Sequence, residues 1–159
     1  MTDFRHTTRL EVRFRDIDAF RHVNNAAFFT YIEQARIRYL IDALAVEAIE
    51  RLPLILAAVE IDFQAPILFG EQVEIGTRVD WIGNTSFSMS HRLRAGADRH
   101  PVATARTVLV CYDYAAERPM PVPDAWRAAF ERIEGRPLAR DAQPTGEEVV
   151  ASARTAAAS

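Results

Sequence analysis

Phe14-Arg15-Asp16-Ile17-Asp18-Ala19-Phe20-Arg21-His22-Val23-Asn24-Asn25, together with the run 26–44 behind it, decides the fold. Just upstream, residues 8–15 alternate. Leu10, Val12 and Phe14 point one way; Arg9, Glu11, Arg13 and Arg15 point the other. That is the period of a half-buried strand. The alternation stops at Asp16, and the polar stretch to Asn25 reads as a loop ending in a helix cap, for which Asn24 or Asn25 is a favoured residue type. From 25 to 44 the period is helical: Phe28, Ile32, Ala35, Tyr39 and Ala43 form one apolar stripe. Thr30, Glu33, Gln34 and Arg38 lie mainly opposite, interrupted by Ile37 and Ile41, so that side is partly covered too. Arg36 falls at the edge of the stripe and needs a partner; Glu33, one turn back, is the nearest. The helical signal can run on to Pro53.

Downstream the period changes to two. Residues 54–63 end with Val59, Ile61 and Phe63 alternating against Glu60, Asp62 and Gln64, and Ala65-Pro66 stops the strand. Residues 72–82 place Val73, Ile75, Thr77, Val79 and Trp81 on one face. Gly83-Asn84 signals a hairpin turn. Residues 86–94 alternate Phe87, Met89, His91 and Leu93 with serines and Arg92. After a turn at 96–100, a last strand runs through Val108, Val110 and Tyr112. Pro119 to Pro123 ends the sheet, and 124–134 is a short amphipathic helix with Trp126, Phe130 and Ile133, capped by Gly135. The expected architecture is α+β: one long helix against a five-stranded antiparallel sheet, in a single domain over 1–135. Residues 136–159, rich in Ala, Thr and Ser, read as a disordered tail.

The 159 residues suffice for one domain with a real core. A net charge of −3 advertises no basic face, which argues against nucleic acid as a partner. Cys111 is the only cysteine, and the four histidines show no metal-ligand spacing, so neither a disulfide nor a metal is expected. No run approaches membrane-span length, and the N-terminus lacks an apolar signal core. A cytoplasmic protein with no membrane partner is the expectation.

Asp16-Ile17-Asp18, then His22-Val23-Asn24-Asn25, then Phe28, Tyr31, Glu33 and Ala35-Arg36 resemble the signature of hotdog-fold thioesterases, nearest to the 4-hydroxybenzoyl-CoA thioesterase-like acyl-CoA thioesterases. Weaker likeness continues through Ile61-Asp62-Phe63, Pro66-Ile67, Gly70-Glu71 and Ile82-Gly83-Asn84-Thr85-Ser86. The resemblance implies a hotdog fold, in which the sheet wraps the helix. It further implies an acyl-CoA substrate, no cofactor, and a homodimer or dimer of dimers. It implies that Asp18 acts on the thioester and that the backbone N–H of Asn25 polarises its carbonyl. His22, Asn24 and Phe28 are then candidates for substrate contact. Ala19-Phe20-Arg21 departs from the Pro-Ala-Gly of the 4-hydroxybenzoyl-CoA enzyme. Phe20 also stands where plant acyl-ACP thioesterases carry an Asn.

The residues leave alternatives. Asp18 also fits a turn or capping carboxylate. Asp16 fits a structural ion pair with an arginine. Glu33 is a second candidate base, since other hotdog thioesterases carry their carboxylate on the helix. His91 reads as a satisfied sheet histidine and Cys111 as core. Arg92, Arg94 and Arg99 fit either CoA phosphates or a solvated basic edge. An acyl-ACP thioesterase, a hydratase or dehydratase on the same fold, and a non-catalytic acyl-CoA-binding or regulatory module are the competing functions. The catalytic histidine motif of the hydratases is not found.

Overall fold

The computed structural model describes residues 3–140. In chain order the elements are β1 (His6–Glu11), α1 (Asn25–Leu44), β2 (Leu54–Phe63), β3 (Gln72–Ile82), β4 (Ser86–Ala95), β5 (His100–Asp113), the two-residue β6 (Arg118–Pro119) and α2 (Asp124–Glu134). Five long strands form one antiparallel sheet in the order β1-β3-β4-β5-β2, and β6 adds to β5. Short turns join β3 to β4 and β4 to β5, while α1 sits in the crossover from β1 to β2. The sheet curls around α1, the hotdog arrangement, helped by register shifts at Leu56/Ala58, Val79/Trp81 and Leu93/Arg94.

The stripe expected on α1 is the stripe that is buried. Phe28, Ile32 and Ala35 join one apolar cluster with Ile75, Leu93 and Val102; Tyr39 and Ala43 join a second with Val79, Met89, Leu109 and Phe130. Between the two clusters runs a belt of buried polar residues. Thr77 falls between Ile75 and Val79, His91 between Leu93 and Met89, Thr107 between Ala105 and Leu109, and Arg36 faces them from α1. His91 is satisfied in place: its two ring nitrogens hydrogen-bond the hydroxyls of Thr77 (3.2 Å) and Thr107 (3.1 Å).

Three expectations are corrected. Strand β1 ends at Glu11, and residues 14–16 form a 3-10 turn that throws Phe14 outward, 82% exposed rather than in the core. The irregularity at Asp80 shifts the parity of β3, so Ile82 is buried and Trp81 only half-buried. α1 spans Asn25–Leu44, the range its period indicates, and ends where Ala45 turns left-handed (φ 50°), so the signal that runs on to Pro53 is not helix of α1. The domain also continues past Gly135. Leu138 is buried in the second cluster, its carbonyl accepts from Ile82 N (2.8 Å), and Arg136 donates to the carbonyls of Val79 and Asp80 (3.2 and 3.0 Å). The remainder of the expected tail lies outside the described residues.

α2 docks through Phe130 and through Glu134. That buried carboxylate accepts from the Tyr39 hydroxyl (2.6 Å) and the Val79 amide (3.0 Å).

Candidate active site

The loop between β1 and α1 is tied at three levels. Asp16 is its buried foot. Its Oδ2 accepts from the Tyr31 hydroxyl (2.7 Å), from Arg13 N (3.0 Å) and from Arg13 Nε (3.2 Å), and its Oδ1 accepts from Arg13 Nη2 (3.0 Å). Burial works against the charge, but the donors of Arg13 and Tyr31 outweigh it and hold the Asp16 carboxyl below the usual carboxylate range. Burial first, then the hydrogen bond to Asp16 and after it the Asp16 charge, raise the Tyr31 phenol. The expected structural ion pair of Asp16 is thus present, with Arg13.

Above that foot the chain makes a small antiparallel loop. Ile17 bridges to Val23, Asp18 N donates to His22 O (2.9 Å) and Arg21 N to Asp18 O (3.0 Å), with Arg21 left-handed at φ 64°. Asn24 N then returns to Asp16 O (2.7 Å), and Val23 N reaches across to Ile67 O (2.8 Å). These ties set the entry to α1. Asn24 is the cap: its Oδ1 accepts from Ala26 N (2.8 Å) and its carbonyl from Ala27 N (2.8 Å). Among the described residues nothing accepts from the Asn25 N–H, one of the donors that a helix start leaves free.

Asp18 is half-buried, and only its Oδ1 is engaged, by the Phe20 amide (2.9 Å). Asp18, His22, Asn24, Asn25 and Phe28 line one cleft of about 490 Å³, so the structure brings five of the sequence candidates together. Glu33 is not among them; it lies exposed two turns further along α1. The opposite wall, Phe63 with Ala65 and Pro66, was missed as site lining. Phe63 meets Phe28 edge-on at 5.0 Å. The signal was an aromatic at the very end of a strand, one residue before the Ala65-Pro66 stop.

Residues 12–130 match the family model described as the thioesterase-like superfamily. The chain belongs to that superfamily. A thioesterase of Thermus thermophilus, solved with coenzyme A and zinc, is 38% identical, with a TM-score of 0.78 over 87% of this chain and 100% of that one. A 1,4-dihydroxy-2-naphthoyl-CoA hydrolase of Synechococcus elongatus is 31% identical over 71% of this chain and 85% of its own. The long-chain acyl-CoA thioesterase FadM of Escherichia coli is 21% identical over 79% and 97%. The protein is a thioester hydrolase with the hotdog fold.

The remaining candidates of this thioesterase lie away from the cleft. His91 is in the core belt, where burial and the nearby Arg36 charge push it down to about 3, so it is neutral. Cys111 is core, its thiol pushed up to about 12 by burial. Arg99 pairs with Glu74 (2.9 Å). Arg92 lies over the ring of Phe4, 4.7 Å from its centre. Among the described residues no three His, Cys, Asp or Glu side chains gather as a ligand set. No helix among them is long and apolar enough to cross a membrane.

Proposed function

We propose that the enzyme hydrolyses acyl-CoA thioesters in the cleft between Asp18 and the start of α1. The observation that carries this is that Asn25, whose N–H has no acceptor among the described residues, lines the same cleft as Asp18. A thioester carbonyl is already electrophilic, so hydrolysis needs a base or nucleophile and a donor for the oxyanion. With the carbonyl oxygen on Asn25 N–H, negative charge develops where the helix dipole favours it; such a donor supplies roughly 3–4 kcal/mol. Asp18 acts from the other side of the carbonyl carbon, either drawing a proton from water or attacking directly. The C–S bond breaks, the thiolate leaves as coenzyme A, and water supplies the OH of the free acid. Phe28 packs on the acyl group, and His22 and Asn24 shape the entrance. The comparisons support the reading: relatives act on acyl-CoA, and one solved relative holds coenzyme A.

The active unit is a homodimer. β2 is an edge strand with a long unpaired side, and Phe20 (81% exposed) and Phe63 line the cleft in the open. The cytoplasm is the proposed compartment, in keeping with a lone buried thiol.

The test is thiol release from a panel of acyl-CoAs, aliphatic and aromatic, alongside the matching acyl-carrier-protein thioesters. Release from acyl-CoA that Asp18→Asn abolishes supports the reading. Tight acyl-CoA binding with no release from any substrate points to a binding module instead.

A further inference from the structure

Where β1 ends and β3 begins, two turns hold apolar side chains clear of the surface. The 3-10 turn 14–16 presents Phe14, 82% exposed, and the turn 68–71 presents Leu68 and Phe69, 48% and 60% exposed. The two rings meet edge to face, with 6.0 Å between their centres. Neither turn is loose. The Arg13–Asp16 tie sets the first. In the second, Glu71 N donates to Leu68 O (3.2 Å), Leu68 N donates to the Glu71 carboxylate (2.8 Å), and Gly70 takes φ 90°, which favours glycine. Val12 N reaches Glu71 O (3.4 Å) and joins the two turns into one tip.

These three side chains offer roughly 400 Å² of apolar surface, at about 200 Å² for a whole aromatic side chain. That is the size of a patch with a use. It is about half of the ~800 Å² that each side of a stable protein–protein interface contributes, so it is too small to hold a folded partner by itself. A fluid lipid surface sets no such minimum. It closes around whatever protrudes, and Phe and Leu are side chains that enter it. The charges around the tip agree. Arg13 answers the Asp16 charge beneath it, and the half-buried Glu71 turns its carboxylate inward onto Leu68 N and acts on His100. Arg15, exposed beside Phe14, makes no ion pair among the described residues. Glu11, the nearest exposed acid upstream, lies on β1 ahead of the turn.

We infer that this tip docks the protein on a lipid surface that carries anionic phospholipid. Phe14, Leu68 and Phe69 enter the acyl region, and Arg15 meets the headgroup phosphates. The expectation of no membrane partner is set aside for a surface contact, which needs no spanning helix. Phe69 is three residues from Pro66 in the wall of the catalytic cleft, so at most about 10 Å of chain separates tip and cleft. A docked molecule therefore holds its cleft at the surface where long-chain acyl thioesters, being amphiphiles, collect. The contact itself does not rest on the catalytic reading, because binding requires no turnover; that reading gives it a use. The tip also stands apart from the β2 edge, which is at the other end of the strand order from β1.

Co-sedimentation of the full chain with vesicles tests the contact, using phosphatidylcholine alone and phosphatidylcholine mixed with phosphatidylglycerol. The expected result is binding to both, tighter on the mixed vesicles. Phe14→Ser and Phe69→Ser should each weaken it about tenfold or more, as for one aromatic side chain returned to water. Arg15→Gln should weaken binding to the mixed vesicles about fivefold and leave binding to phosphatidylcholine unchanged. All three side chains are exposed, so each variant should melt like the wild type. If one serine variant fails to fold, the other, on a separate turn, still carries the test. Wild type that stays in the supernatant with both kinds of vesicle overturns the proposal. So does wild-type binding that neither serine variant weakens, which would put the lipid elsewhere on the protein. A third overturning result is a wild type that binds no vesicle and loses a subunit in sedimentation on Phe14→Ser, because the tip would then belong to a second copy.

Discussion

Asp16 and Asp18 are two residues apart in one loop and could hardly be used more differently. Asp16 is buried, and four donor contacts from Arg13 and Tyr31 converge on it. Asp18 is half-buried, with a single amide on one oxygen. The same contrast separates His91, bonded on both nitrogens in the core, from His22, exposed at the cleft. A buried polar group with every lone pair or proton engaged is fixed, and its ionisation is a matter of stability. A group with a free valence facing a cleft is available for chemistry. Availability, rather than residue type, distinguishes the candidates.

The largest expected effect attacks that contrast at Asp18. Asp18→Asn keeps the shape and removes the base or nucleophile. kcat should fall by about two to four orders of magnitude, the range of general-base catalysis, while the melting temperature hardly moves. Steady-state thiol release with a thermal melt reads both. A variant at near wild-type rate would put Asp18 on the structural side with Asp16.

The next effect is the acid flank of stability. His91 titrates at about 3 in the folded chain, against about 6.5 when unfolded. Below 6.5 the unfolded chain binds the extra proton and the folded chain does not. Stability from neutral His91 is therefore complete above pH 6.5 and lost as pH falls from there toward 3, by up to a few kcal/mol. Asp16, held below its unfolded range of about 3.9, adds stability that is present above that pH and lost as pH falls through its folded value. Urea titrations from pH 7 to 4 should show a falling stability that His91→Gln flattens. An equally steep fall in that variant would assign the flank to other groups.

Third, Asp16→Asn should cost about 1–3 kcal/mol, because it weakens charge-assisted bonds at a buried site, and Tyr31→Phe about 1 kcal/mol. Denaturant midpoints measure both. Loss of activity at full stability would instead place Asp16 with Asp18. Smallest of all is Glu33→Gln. With no Glu33–Arg36 pair and Glu33 on the surface, stability should change by less than about 0.5 kcal/mol, and activity should stay within a factor of a few. A folded but dead variant would move the base onto the helix.

Much of the fold was legible because its periods are clean. Asn25–Leu44 carries an unbroken apolar stripe between an Asn cap and the change of backbone at Ala45, and Gly83-Asn84 marks the β3–β4 turn. The misses share a cause. A register shift at Asp80 moves Trp81 by one position, and no sequence period announces such a bulge. Phe14 looks like the next inward strand residue, but the Arg13–Asp16 tie pulls the backbone out of the strand first. Leu138 is the one large apolar residue of its stretch, so its burial shows only once the Ile82 N–H and the Glu131 carboxylate engage its backbone. At the site, the near wall was visible because its residues are contiguous. The far wall of Phe63, Ala65 and Pro66 arrives by tertiary folding, from a strand some forty residues later.

The Glu134 carboxylate has a consequence for how the chain assembles. Its two partners, Tyr39 and Val79, lie 95 and 55 residues upstream, one on the helix and one on the sheet. The two donors meet on the one carboxylate only where α1 rests on β3. The closing of α2 therefore reads out that helix and sheet have met, through contacts whose large sequence separation carries a loop-closure cost. A chain whose sheet has slipped register offers Glu134 one donor where it needs two, so the last helix acts as a proofreader for the core beneath it.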